Sequence, residues 1–97
     1  MASGVRLGTH LKELRLHLCQ RSPSSLGVRE FIESYYVPLK KENPKFPILV
    51  RECSGIVPRV WARYGFGKET SFSLADKNKD SVLRIIKDLA SKQPSSV

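Results

Sequence analysis

Leu14, Leu16 and Leu18 alternate with Arg15, His17 and Cys19. A period of two sends successive side chains to opposite faces, so this stretch predicts a half-buried strand. The periodicity then changes. Val28, Phe31, Ile32, Tyr35 and Leu39 fall at i, i+3, i+4, i+7 and i+11, one face of a helix. Ser24 or Ser25 supplies its N-cap, because a serine hydroxyl accepts from the unpaired amides of a first turn. Pro38 has no amide hydrogen, which predicts a kink there or an end near Val37. Asn43-Pro44 reads as a loop. Phe46 to Glu52 is short, apolar and β-branched and predicts a second strand, closed by Ser54-Gly55. Val60 to Tyr64 predicts a third, Gly65-Phe66-Gly67-Lys68 a turn, and Thr70 to Leu74 a fourth, so the last two strands form a hairpin. Asp76-Lys77-Asn78 introduces a second helix whose apolar face is Val82, Ile85, Ile86 and Leu89, flanked by Leu83 and Ala90.

The predicted order is β-α-β-β-β-α. A strand, a helix and a strand in so short a stretch make a right-handed βαβ unit with two parallel strands. Adding the hairpin and the last helix gives the minimal core order of a thioredoxin-like α/β fold, a mixed four-stranded sheet with two main helices. Residues 1–10 carry no periodicity and predict a flexible arm before a domain over 11–90. The polar stretch 91–97, with Pro94, predicts a disordered tail. A chain of 97 residues is one domain with a thin core, burying about 60–65% of its unfolded surface.

This order leaves one sheet face short of cover, because only Ser54 to Arg59 connects the second and third strands. The leucine side of the first strand meets the helices. Parity then puts Arg15, His17 and Cys19 on the other side, with Leu49, Arg51 and Cys53 from the second strand and Trp61 and Arg63 from the third. Arg15, His17, Arg51, Trp61 and Arg63 are therefore the candidate partner-docking face. The plainer alternative places Trp61 in the core.

Charge agrees with docking but does not name the partner. Seventeen Lys and Arg against nine Asp and Glu give a net charge of +8. That excess favours acidic partners. The cations are spread along the chain, with one doublet at Lys40-Lys41, and aromatics are too sparse for base stacking. Nucleic acid is therefore not expected. No apolar run approaches the length of a membrane-spanning helix, and residues 1–10 form no convincing presequence.

Cys19 stands where the first strand hands over to the first helix, the place of the redox cysteine in thioredoxin-like folds. The segment reads Cys19-Gln20-Arg21-Ser22, so Ser22 replaces the second cysteine of a Cys-x-x-Cys motif. Cys53 ends the second strand. Parallel neighbours lie about 4.8 Å apart, within the Cα range of a disulfide, so a Cys19–Cys53 bridge is geometrically open, as are two free thiols. Two cysteines with His10 and His17 match no metal-ligand spacing, and no metal, cofactor or catalytic residue is assigned. Pro58 precedes the third strand, where thioredoxin-like folds commonly carry a cis-proline.

Three stretches together carry a resemblance: Leu14-Arg15-Leu16-His17-Leu18-Cys19-Gln20, Pro47-Ile48-Leu49-Val50-Arg51-Glu52-Cys53-Ser54, and Trp61-Ala62-Arg63-Tyr64 followed by Gly67. Over residues 8–90 the chain resembles a family of accessory subunits of mitochondrial respiratory complex I. The resemblance implies a thioredoxin-like fold and no flavin, iron–sulfur cluster or quinone site. It implies a place on the matrix arm, peripheral to the inner membrane, with other complex I subunits as partners and a role in assembly or stability. It also implies a redox-dependent disulfide at the positions matching Cys19 and Cys53. Two other functions stay open on the residues: a monothiol redox enzyme working through Cys19, and a mitochondrial ribosomal or RNA-binding module.

Overall fold

The computed structural model describes residues 7–8 and 10–91. The arm and tail expected at 1–10 and 91–97 lie largely outside them, but Leu7 does not behave as part of an arm. Its side chain is wholly buried in the core, and its amide donates to Asn43 Oδ1 at 3.0 Å. Strand β1 (Leu11–Leu18) alternates as expected, with Leu14, Leu16 and Leu18 buried and Arg15 and His17 half-exposed. It begins earlier than its clean periodicity shows, because a register irregularity between Leu11 and Glu13 breaks the alternation there.

The sheet is mixed and four-stranded, in the order β2-β1-β3-β4. β2 (Ile48–Glu52) runs parallel to β1, with Leu16 opposite Val50 and His17 opposite Arg51. β3 (Arg59–Tyr64) runs antiparallel to β1, with Arg15 opposite Trp61 and His17 opposite Arg59. β4 (Glu69–Ser73) closes the hairpin, with Trp61 opposite Ser71. The expected order and strand directions are therefore present, and β1 is central.

The first helix departs from the reading at Pro38. Ser25 stands at the N-cap position of α1 as expected, but its hydroxyl accepts from the Cys19 amide, and the capping hydroxyl is that of Ser22, which accepts from the Ser24 amide ahead of a 3-10 turn at Pro23–Ser25. Then α1 (Leu26–Phe31) passes through a π-helical turn (Ile32–Tyr36) into α2 (Val37–Glu42) without a break. The proline neither ends nor breaks the helix, because it falls at the start of α2, just after that turn. A π-turn widens the helix by one residue, so the carbonyl that would meet the proline ring is displaced and no donor is needed from Pro38. Leu39 still reaches the core.

Helix α3 (Lys79–Ser91) packs against α1 on the leucine face of the sheet. Val28, Phe31, Val82, Ile86 and Leu89 meet Leu14, Leu16, Val60 and Ala62 there. The buried Tyr64 hydroxyl donates to the Leu89 carbonyl at 2.7 Å, fastening α3 to β3. Where α1 begins, Gly27 lies so close to the loop before α3 that a Cβ would overlap the Lys77 carbonyl. The Val57–Pro58 bond is trans, as are all peptides of the described residues, which corrects the expectation of a cis-proline. Pro58 is buried, and its carbonyl accepts from the Leu74 amide at 2.9 Å as the hairpin's last rung. Trans is also the intrinsically preferred isomer by about 0.5–1 kcal/mol.

Candidate docking face and cysteine site

The far face of the sheet has no helix on it. Register places Glu13, Arg15 and His17 of β1 there, Leu49 and Arg51 of β2, Arg59, Trp61 and Arg63 of β3, and Glu69, Ser71 and Ser73 of β4. Arg15, His17, Arg51, Trp61 and Arg63 thus share one surface. Trp61 is half-buried between Arg15 and Ser71, so it belongs to this face and not to the core.

The cations of the face are not equivalent. Arg15 Nε meets Glu13 Oε1 at 2.9 Å and its Nη2 reaches Glu69 Oε2 at 3.5 Å, so its charge is largely answered. Arg59 donates to Ser71 Oγ at 2.8 Å and keeps its charge. Arg51 and Arg63 have no carboxylate partner among the described residues. Sequence reasoning missed Glu13, Arg59 and Glu69. Glu13 and Arg59 were within reach, since they share parity with Arg15 and Trp61. Glu69 was not, because it comes from another strand. Partial burial holds the His17 imidazole below its usual range, and Arg51 and Arg15 push it the same way. The centre of the face therefore disfavours a further positive charge and suits an anion.

The cysteines sit at one end of this face and differ from each other. Both are free thiols; Cys53 is exposed and Cys19 is 5% exposed. The Cys53 amide donates to the Leu18 carbonyl at 3.0 Å, so the two residues follow a hydrogen-bonded pair of strand ends. Cys19 Sγ accepts from the Gly55 amide at 3.3 Å. Backbone N–H groups of Arg21, Gly55 and Ser22 lower the thiol's pKa against the opposing effect of burial, and the Arg29 guanidinium adds to the lowering. Arg29 also holds the loop, donating to the carbonyls of Cys19 and Ser22, each at 2.9 Å. The Cys19 thiol is thus closed in by its own loop, and Ser22 cannot resolve a mixed disulfide on it.

A hollow of about 420 Å³ opens between the starts of β1 and β2, near Lys12, Lys45 and Phe46. Its lining holds no His, Cys or carboxylate. Among the described residues no three metal-ligating side chains gather, and no helix is long and apolar enough to cross a membrane.

Residues 28–79 match the model of the mitochondrial ribosomal protein L51 / S25 / CI-B8 domain. The chain belongs to this family. The matched segment runs from α1 to the start of α3 and so contains three of the four strands. The chain is 52% identical over 90 residues to NADH dehydrogenase (ubiquinone) 1 alpha subcomplex subunit 2 of Mus musculus, covering 93% of this chain and 89% of the relative. It is 47% identical over 89 residues to the Arabidopsis thaliana protein of that name, covering 92% of each chain. It is 40% identical over 79 residues to the NADH-ubiquinone oxidoreductase 10.5 kDa subunit of Neurospora crassa, covering 81% of this chain and 84% of the relative.

Proposed function

We propose that the chain is an accessory, non-catalytic subunit of mitochondrial NADH:ubiquinone oxidoreductase, respiratory complex I. The carrying observation is the near end-to-end match, at 52% and 47% identity, to animal and plant proteins named as subunits of that enzyme. The finer reading is a protein of the matrix arm, peripheral to the inner membrane, that supports assembly or stability. Its docking surface is the open sheet face, with Arg51, Trp61 and Arg63 as the main contacts and His17 and Arg15 between them. The thioredoxin-like label rests on the element order. The absence of catalysis is argued from the closed position of Cys19 and the serine at position 22. On oxidation, Cys19 and Cys53 lose two protons and two electrons to a disulfide of the thiol pool and become joined, which makes the subunit redox-responsive.

Mitochondria solubilised in mild detergent and run on native gels test this reading. The full chain is expected to migrate with complex I, and cells lacking it are expected to show less of the assembled enzyme. Recovery only as a free matrix monomer, with complex I unchanged, overturns it.

A further inference from the structure

β2 is an edge strand, and its ladder to β1 fixes which of its backbone groups are used. The Leu14 amide donates to the Pro47 carbonyl and the Cys53 amide to the Leu18 carbonyl. In a parallel ladder that phase turns the N–H and C=O groups of Leu49 and Arg51 toward β1. The same groups of Ile48, Val50 and Glu52 then point away from the sheet, where no hydrogen bond from the described residues meets them. The preceding carbonyl in this row, that of Phe46, is taken by Lys40 Nζ at 2.6 Å, so the open row starts at Ile48.

Proteins normally guard such a row with charge on both faces, a bulge, a proline or a covering element. β2 has a regular register throughout, its charges Arg51 and Glu52 stand at its end, and its central side chains are apolar on both faces: Leu49 is 52% exposed and Val50 39% exposed. The opposite edge differs. The Leu74 amide donates to the Pro58 carbonyl and the Tyr64 amide to the Lys68 carbonyl, which turns the outward row of β4 to Glu69, Ser71 and Ser73, so β4 is polar over the whole of the open face and exposes an apolar side chain, Phe72, on the other face alone. The two edges are thus built for different neighbours.

We infer that the β2 edge receives an extended, acidic segment of a partner subunit, which adds as a fifth strand beside Ile48–Glu52. Backbone hydrogen bonds supply the register, and side chains the choice of partner. The added strand sets an apolar side chain beside Leu49 and another beside Val50 on the opposite face. It sets a carboxylate beside Arg51, which has none of its own among the described residues, with His17 and Arg59 next along the same row. Charge selects this occupant over a second copy. Each copy carries +8, and antiparallel pairing of two β2 strands about Val50 would place Leu49 against Arg51. The inference rests on the complex I reading and specifies how the subunit is held there.

The test re-expresses the full chain in cells lacking it. Val50→Pro removes an outward amide and leaves the β1 ladder whole, so the isolated protein is expected to keep its cooperative melting while incorporation into complex I falls at least tenfold. Arg51→Glu, which leaves the backbone intact, is expected to lower incorporation as well, and the same charge change at the exposed Lys87 of α3, Lys87→Glu, is expected to leave it unchanged. Exchange of the outward amides of Ile48, Val50 and Glu52 is expected to slow at least tenfold in the complex relative to the isolated chain. If wild type migrates free, the complex I reading fails. If wild type, Val50→Pro and Arg51→Glu all assemble equally, or if these amides are already protected in the isolated monomer, the edge inference alone is overturned. A stable dimer of the isolated chain, lost in Val50→Pro, overturns it in favour of self-pairing. Should Val50→Pro fail to fold, Arg51→Glu and the exchange measurement decide.

Discussion

Gly27 shows how much one missing methyl group can determine. A Cβ there would overlap the Lys77 carbonyl, a backbone group with no flexible side chain to give way. Alanine raises helix propensity, and at an exposed site it would stabilise slightly. Here it must part α1 from the loop that leads to α3. Gly27→Ala is expected to cost about 3 kcal/mol or more in a urea melt, the range of severe overpacking. An unchanged midpoint would mean that α1 and this loop part at no cost. Nothing in the sequence marks Gly27 as different from other glycines in helical patterns. By contrast, Phe66 stands fully exposed at φ 62° between Gly65 and Gly67, at the tip of a turn the sequence did show.

At the scale of elements, the strands were legible and the helix join was not. Leu14, Leu16 and Leu18 gave β1 its buried side by parity, and the same parity placed Arg51 and Trp61 on the open face. Those inferences survive because strand period is a local property of the chain. The π-turn at Ile32–Tyr36 is legible only after the fact. Its apolar spacing satisfies an ordinary helix up to Leu39, so the sequence shows an impediment at Pro38 without showing its resolution. Leu7 was missed for a related reason, since one leucine has no period and only tertiary packing reveals it. Pro38 and Leu39 therefore separate two effects. Pro38→Ala is expected to change unfolding free energy by less than about 1 kcal/mol, because the wide turn already accommodates the ring. Leu39→Ala is expected to cost about 2–5 kcal/mol, the range for emptying a buried leucine site. Circular dichroism and urea melts of the two variants check the pair, and a proline variant that loses helix would refute the accommodation.

For the whole molecule, the two cysteines matter through the loop between them. Joining Cys19 to Cys53 closes about 35 residues, containing α1, α2 and β2, and on the chain-entropy model stabilises by about 3–4 kcal/mol. Oxidised protein is expected to melt higher than reduced protein, with Cys53→Ser abolishing the difference, and thiol trapping before and after peroxide treatment reads the same change by mass. Equal melting of oxidised and reduced wild type would leave the bridge without a stabilising role. The proposed docking edge and the proposed disulfide share one end of the sheet, since Cys53 directly follows the open edge of β2. The centrality of β1 has a further consequence, for the order of events during synthesis. β1 precedes both of its partners in the chain, and without it β2 has no strand to pair with and the β3–β4 hairpin stands alone. Its row of leucines emerges from the ribosome with no strand to pair with until β2 and β3 have been made, which ties folding to sequence-distant contacts and makes it slow for a chain this short. A nascent or freshly unfolded copy thus presents an adhesive apolar strand early and hides it late, and chaperone occupancy is expected to be greatest on chains that stop short of β3.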